Sequence, residues 1–195
     1  MSCCKYSVSK EEHAGKTKWG GSWAGRLLFD PSAGKASATF MYRCHYDDFW
    51  DMFNAIRESE AVRYDEKVLA ISTYNCKIQG MEGPTAAVVK HSFAIVETDD
   101  WYWCIDKHDE GINIQRSKRR ADLKRSNWSE EREWLWIIWE DIQPGTQRTL
   151  EDLLAFIRSE LKDTYSILRN CAEFVADTMR FLGICPEIRG YCSIQ

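Results

Sequence analysis

The stretch AAVVKHSFAIVETDDWYWCIDKHDEGINIQ, residues 86–115, carries the clearest structural signal in the chain. It contains three runs rich in aliphatic and aromatic residues, Ala86–Thr98, Trp101–Asp106 and Gly111–Gln115. Such residues favour strands, and the short polar connections between the runs favour tight turns. The pattern therefore predicts an antiparallel meander of three strands.

The connection Asp99-Asp100 sets the register of the first two strands. If it is a two-residue hairpin loop, Phe93 faces Asp106 and His91 faces His108. Directly opposed residues point to the same face of a sheet, so His91, His108 and Asp106 would lie together at one end of it. A change of one residue in loop length would break this register.

Cys171 stands at the predicted start of a helix. Asn170 is a favoured N-cap residue, and apolar residues recur at helical spacing as far as Leu182. The unpaired N–H groups and the dipole of a helix start favour an anion, so the pKa of a cysteine falls there and its thiolate becomes a nucleophile. The same N–H groups would stabilise an oxyanion. The alternative is a small buried cysteine that packs in the core.

His91 is the residue that would activate this thiol. An imidazole takes a thiol proton when a third group holds the ring in place. His108 is the first candidate for that group, and Asp106 is the alternate. The competing interpretation makes His91 a strand-end histidine on the surface and His108 a loop residue.

The rest of the chain predicts an α+β domain, an antiparallel sheet with packed helices. Helices are predicted over Tyr46–Ser59 and after a cap at Thr149, where Asp152 occupies the capping-box position. The run Trp134–Trp139 is either a buried strand or a buried helix turn. Further strands are predicted over Trp23–Phe29, Ala36–Tyr42 and Val68–Ile78.

The predicted organisation is a loose lead-in over residues 1–20, one domain over 21–190 and a short tail over 191–195. Hydrophobic residues make up 44% of the 195, which argues against wholesale disorder. The net charge of -4 argues against a nucleic-acid partner. A basic cluster, Lys118 to Arg120 with Lys124 and Arg125, is either a solvated loop or a contact to an anionic surface.

The eight cysteines are scattered, and the first twenty residues lack the apolar run of a signal peptide. Reduced thiols in the cytoplasm are therefore expected. The adjacent Cys3 and Cys4 have no second pair at ligand spacing, so a zinc site is poorly supported. No metal or organic cofactor is implied, because thiol, imidazole and backbone N–H groups suffice for the chemistry.

A histidine that opens an apolar strand, followed by a polar residue on the next strand and a distant Asn-Cys at a helix start, resembles the circularly permuted papain-like fold. The segment from Tyr165 to Val175 is similar to the cysteine segment of the lecithin retinol acyltransferase family. That resemblance implies Cys171 as the nucleophile, His91 as the base and His108 as the second histidine. PPPDE-type isopeptidases and bacterial NlpC-type amidases share the architecture.

The resemblance implies a thiol hydrolase or acyltransferase for an ester- or amide-bearing substrate, lipid or protein, with lipid acyl groups slightly favoured. It covers about Ala86 to Gly183. Ala172-Glu173 stands where that family has Glu-His, and no C-terminal membrane helix follows. These departures bear on the lipid substrate more than on the fold. A non-catalytic module that binds a protein or a membrane is the competing function.

The last four residues, from Cys192 to Gln195, fit the C-a-a-X prenylation pattern, and the terminal Gln favours farnesyl. This predicts peripheral membrane association through Cys192. Stable binding would need a second element, such as acylation at Cys3 or Cys4 or the basic cluster. The alternative is a plain tail.

Overall fold

The computed structural model describes residues 26–33, 42–77, 90–108, 111–126, 135–162 and 170–185. Its seven strands are β1 (Arg26–Asp30), β2 (Tyr42–His45), β3 (Val68–Lys77), β4 (Lys90–Thr98), β5 (Tyr102–His108), β6 (Gly111–Ser117) and β7 (Leu135–Ile142). Its four α-helices are α1 (Phe49–Ile56), α2 (Arg120–Ser126), α3 (Leu150–Glu160) and α4 (Cys171–Phe181). Among these residues, no helix is long and apolar enough to cross a membrane.

The strands form one sheet in the order β2-β1-β6-β5-β4-β3-β7. The predicted α+β class and the β4-β5-β6 meander are confirmed, because both neighbouring pairs of the meander are antiparallel. The predicted antiparallel sheet has one departure, because β1 pairs with β6 in parallel. These two strands are far apart in sequence, so the chain between them is long enough for the crossover that a parallel pair needs.

The helices cover both faces of the sheet. Alternate residues of β4 and β5 divide between two cores, since side chains along a strand point to opposite faces. Ala94 and Val96 of β4 pack in the core that also contains side chains of α1, α3 and α4. Phe93 and Ile95 pack in a smaller core with Leu123 of α2. The meander is thus covered by helices on both sides.

Two predicted segments differ from the elements that the structure forms there. The helix expected over Tyr46–Ser59 is a 3-10 turn followed by the shorter α1. Of the run Trp134–Trp139, Trp134 lies outside the described residues and the rest belongs to the edge strand β7. Ile137 is 50% exposed, so the prediction that this position is buried is wrong. An edge strand has a neighbour on one side only, and here Ile137, Ile138 and Trp139 stay partly exposed.

The basic cluster is not simply a solvated loop, because α2 begins at Arg120. The Arg120 guanidinium bonds Asp141 at 2.6 Å and the Tyr74 hydroxyl at 2.9 Å, so its charge is used inside the fold. The predicted lead-in, the strand residues before Arg26, the segment 36–41 and the three cysteines of the lipidation hypothesis (Cys3, Cys4 and Cys192) lie outside the described residues.

Candidate active site

The hairpin between β4 and β5 has the predicted two-residue loop. The Thr98 N–H donates to the Trp101 carbonyl at 2.8 Å, and the ladder runs back from there to the pair Phe93 and Asp106. His91 and His108 lie two residues beyond this last pair, one on each strand. Their rings stack with centroids 4.6 Å apart and planes 23° from parallel. The predicted register is therefore confirmed.

Asp106 is the group that holds His91. The Nε2 atom of His91 lies 2.5 Å from Oδ1 of Asp106, and Nε2 of His108 lies 2.7 Å from Oδ2. The carboxylate is buried, with 2% of the residue exposed. His108, the first candidate for the third position, contacts the His91 ring by stacking and bonds Asp106. The alternate candidate, Asp106, is the one that makes the hydrogen bond to the base.

Helix α4 begins as its sequence predicts. Asn170 has extended backbone angles, and its side chain accepts hydrogen bonds from the N–H groups of Ala172 and Glu173 at 2.9 and 3.2 Å. Cys171 is thereby placed in the first turn. Because Asn170 occupies two N–H groups of this turn, Ala172 and Glu173 are not the open oxyanion donors that the sequence predicted.

The Cys171 sulfur faces the start of β4. It accepts a hydrogen bond from the Ser92 N–H at 3.4 Å and lies 3.9 Å from the Lys90 carbonyl oxygen. His91 acts on the same sulfur and lowers the pKa of the Cys171 thiol through hydrogen bonding and charge. Because Nε2 of His91 is engaged by Asp106, Nδ1 is the nitrogen left for sulfur. The structure thus brings together the predicted nucleophile and base, and it joins both to Asp106.

The charges of this cluster support one another. Burial lowers the pKa of His91, but the charge and hydrogen bond of Asp106 and the bond to Cys171 outweigh it, so that pKa lies well above 6.5. Burial raises the pKa of Asp106, but both histidines outweigh it and hold that pKa far below 3.8.

The pKa of the Cys171 thiol is shifted in the direction that suits a charged pair with His91. Burial raises the pKa of Cys171, but His91 and the Ser92 N–H outweigh it, and the net shift is downward from 9.0. The arrangement favours a thiolate–imidazolium pair. Cys44 behaves in the opposite way, because burial and the nearby Asp48 raise the pKa of its thiol to about 12.

The ring nitrogens and carboxylate oxygens of His91, Asp106 and His108 lie within 4.8 Å of one another, a spacing at which such groups can hold a metal ion. Here each imidazole hydrogen bonds a different oxygen of Asp106. The donors and acceptors of the cluster are therefore matched to one another by hydrogen bonds alone.

Lys107 is a supporting residue that sequence reasoning missed. It lies between Asp106 and His108 on β5 and points to the other face, where it is 1% exposed. Its ammonium group lies 3.4 Å from Glu160 of α3 and 5.6 Å from the ring centre of Phe174 in α4. It therefore ties β5 to the helix that carries Cys171. A charged residue inside an apolar strand was the available signal.

Comparisons of the chain with protein-family models, with curated proteins and with solved structures found no match. The likeness to the permuted papain-like fold therefore remains a resemblance carried by the strand histidine and the Asn-Cys helix start.

Proposed function

We propose that this protein is a cysteine-dependent hydrolase or acyltransferase with Cys171 as nucleophile, His91 as base and Asp106 as the residue that holds His91. One observation carries the proposal. The Cys171 sulfur, at a helix start, accepts the N–H of Ser92 next to His91, and His91 lowers the pKa of the thiol. Nε2 of His91 lies 2.5 Å from a buried carboxylate. A nucleophile, a base and an orienting group in series are what thiol chemistry needs.

The proposed reaction has two halves. The Cys171 sulfur attacks the carbonyl carbon of an ester or amide, and the new S–C bond forms as the leaving oxygen or nitrogen departs with a proton from His91. In the second half, His91 takes a proton from water or from an acceptor hydroxyl or amine. The resulting nucleophile attacks the thioester, and the thiolate leaves.

The substrate class follows from the resemblance. Lipid acyl groups are slightly favoured, since the cysteine segment is most similar to that of the lecithin retinol acyltransferase family. Isopeptide and peptide amides are the alternative, since the PPPDE-type and NlpC-type enzymes share the proposed architecture. The Cys171 residue is 3% exposed, so a substrate must deliver a narrow reacting group to the sulfur.

The first experiment measures thiol reactivity in the folded protein. Iodoacetamide is small and neutral, and peptide mass spectrometry resolves each of the eight cysteines. We expect Cys171 to be labelled ahead of Cys44 at neutral pH, because the pKa of the first thiol is lowered and that of the second is raised. Labelling of Cys171 no faster than of Cys44 would count against an activated thiol.

The second experiment tests turnover. Wild type and Cys171→Ala are compared on a panel of acyl esters, phospholipids and isopeptide-linked peptides, with circular dichroism as the check of folding. We expect the substitution to abolish turnover and to leave the fold intact, because Cys171 contributes little volume to the core. Turnover retained by folded Cys171→Ala protein would refute the proposal.

A non-catalytic binding module on the same fold is the second candidate function. It is favoured by the apolar side chains left exposed on β3 and on the edge strand β7, namely Leu69, Ile137, Ile138 and Trp139. Exposed apolar side chains of this kind are common at interaction surfaces. Slow labelling of Cys171 together with no turnover on the whole panel would favour this candidate.

A further inference from the structure

Asp106 is shared between two histidines. One carboxylate oxygen takes the hydrogen bond of His91 at 2.5 Å, and the other takes that of His108 at 2.7 Å. The proposed reaction needs only the first of these bonds. The second bond places an additional donor on the residue that holds the base.

The two histidines differ in their surroundings. His91 is 7% exposed and is the ring that lowers the pKa of the Cys171 thiol, so it is the ring that would move protons. The His108 side chain is 32% exposed and meets the cluster through Asp106 and through the stacked face of His91. His108 therefore acts on the thiol only through its neighbours.

A second donor weakens the hold of a carboxylate on the first. Each hydrogen bond to a carboxylate stabilises its negative charge and makes it a poorer partner for another proton. Protonation of His108 would act in the same direction, since it would bring a positive charge against the stacked His91 ring. In either protonation state, His108 opposes retention of a proton by His91.

We propose that His108 is a positioning residue that limits how tightly Asp106 holds the proton of His91, so that this proton can be given up during the reaction. With Asp106 engaged by His91 alone, the imidazolium would persist to higher pH. It would then be a poorer base for the second half of the reaction. This catalytic consequence rests on the proposed function, whereas the effect on the His91 proton does not.

The titratable groups around His91 come from three elements. Strand β5 supplies Asp106 and His108, and α4 supplies Cys171. Strand β3 places Cys76 opposite His91. Two other charges close to the site in sequence are paired elsewhere, Lys107 with Glu160 and Glu173 with Arg180. Lys90, which precedes His91, is exposed. Removal of His108 therefore takes away its hydrogen bond to Asp106 and its stacking on His91 and leaves these other groups in place.

The test reads the His91 proton directly. The chain has four histidines, so protein labelled with 15N-histidine gives four imidazoles to follow by NMR as a function of pH. The His91 signal is the one lost in His91→Gln. In full-length His108→Ala we expect the titration midpoint of His91 to rise by about half a pH unit or more. In His108→Gln it should stay near that of wild type, because a Gln amide can replace the Nε2–H donor.

Further variants and readouts keep the test decisive. His45→Gln removes an exposed histidine at the far edge of the sheet and should leave the His91 midpoint unchanged. An unchanged or lower midpoint in folded His108→Ala would overturn the inference, and so would an equal rise in His108→Gln. No substrate is needed, so a shifted midpoint without any turnover would refute the proposed function and leave the inference standing.

Discussion

Asp106 is the residue of the site that links the two histidines. It is the buried carboxylate to which both imidazoles bind, and its negative charge keeps the His91 proton in place against the cost of burial. His91 in turn stabilises the thiolate of Cys171. An uncharged group at position 106 would remove a negative charge that stabilises the His91 imidazolium in a buried site.

Asp106→Asn should slow alkylation of Cys171 at mildly acidic pH by at least about tenfold, because loss of the carboxylate lowers the fraction of thiolate–imidazolium pair. The measurement is the rate of iodoacetamide labelling at Cys171 as a function of pH. Asp30→Asn is the matched control, since Asp30 lies on a different strand, β1, is also buried and accepts a hydrogen bond from the Ser32 N–H. Equal Cys171 rates in wild type and Asp106→Asn would contradict the assignment.

Among the secondary-structure elements, helices α3 and α4 allow two helix caps to be compared. Helix α3 begins with a capping box in which the Thr149 and Asp152 side chains bond each other's backbone N–H groups. Helix α4 begins with Asn170 as a single-residue cap. The two caps satisfy N–H groups of similar helices of eleven residues each, but only the second one lies beside the thiol. We therefore expect helix capping and thiol reactivity to be coupled at α4 and not at α3.

Asn170→Ala and Thr149→Ala should each lower the free energy of unfolding by about 1 kcal/mol, the usual cost of losing a helix cap. Only Asn170→Ala should also slow the labelling of Cys171, because a frayed first turn moves the sulfur away from His91. Urea denaturation and alkylation kinetics on the same samples separate the two effects. A similar slowing in Thr149→Ala would mean that reactivity follows general stability instead.

For the whole molecule, the site is a source of pH-dependent stability. The pKa of Asp106 is lower in the folded state than its ordinary value of 3.8, so its contribution is present above that pH and is lost as pH falls further. The pKa of His91 is raised, so its contribution is present below about 6.5 and is lost as pH rises through the folded pKa. The pKa of Asp30 is shifted in the opposite direction to that of Asp106, because burial is the main influence on its carboxyl and raises its pKa.

We expect the free energy of unfolding of the wild type to fall as pH drops below about 4. Asp106→Asn should be less stable at pH 6 and should lose part of this acid dependence, whereas Asp30→Asn should not. Urea denaturation of the three proteins between about pH 3 and pH 7 measures how the free energy of unfolding depends on pH. An acid slope in Asp106→Asn as steep as in wild type would show that other carboxylates carry the dependence.

The local features of this protein could be predicted from its sequence because their causes are local. Runs rich in aliphatic and aromatic residues and a two-residue polar loop predicted the β4-β5 hairpin and its register, and hence the meeting of His91 with His108 and Asp106. An N-cap residue before an apolar helical pattern predicted the start of α4 at Cys171. Backbone geometry and turn chemistry operate within a few residues, so they can be read along the chain.

The tertiary structure decided which side chains of the site bond each other and where each strand lies in the sheet. The register placed two candidates beside His91, but only the side-chain geometry showed that Asp106 hydrogen bonds both rings. The parallel pairing of β1 with β6 and the exposed position of β7 depend on where each strand enters the sheet. Such choices depend on packing between segments far apart in sequence, and local pattern carries no signal for them.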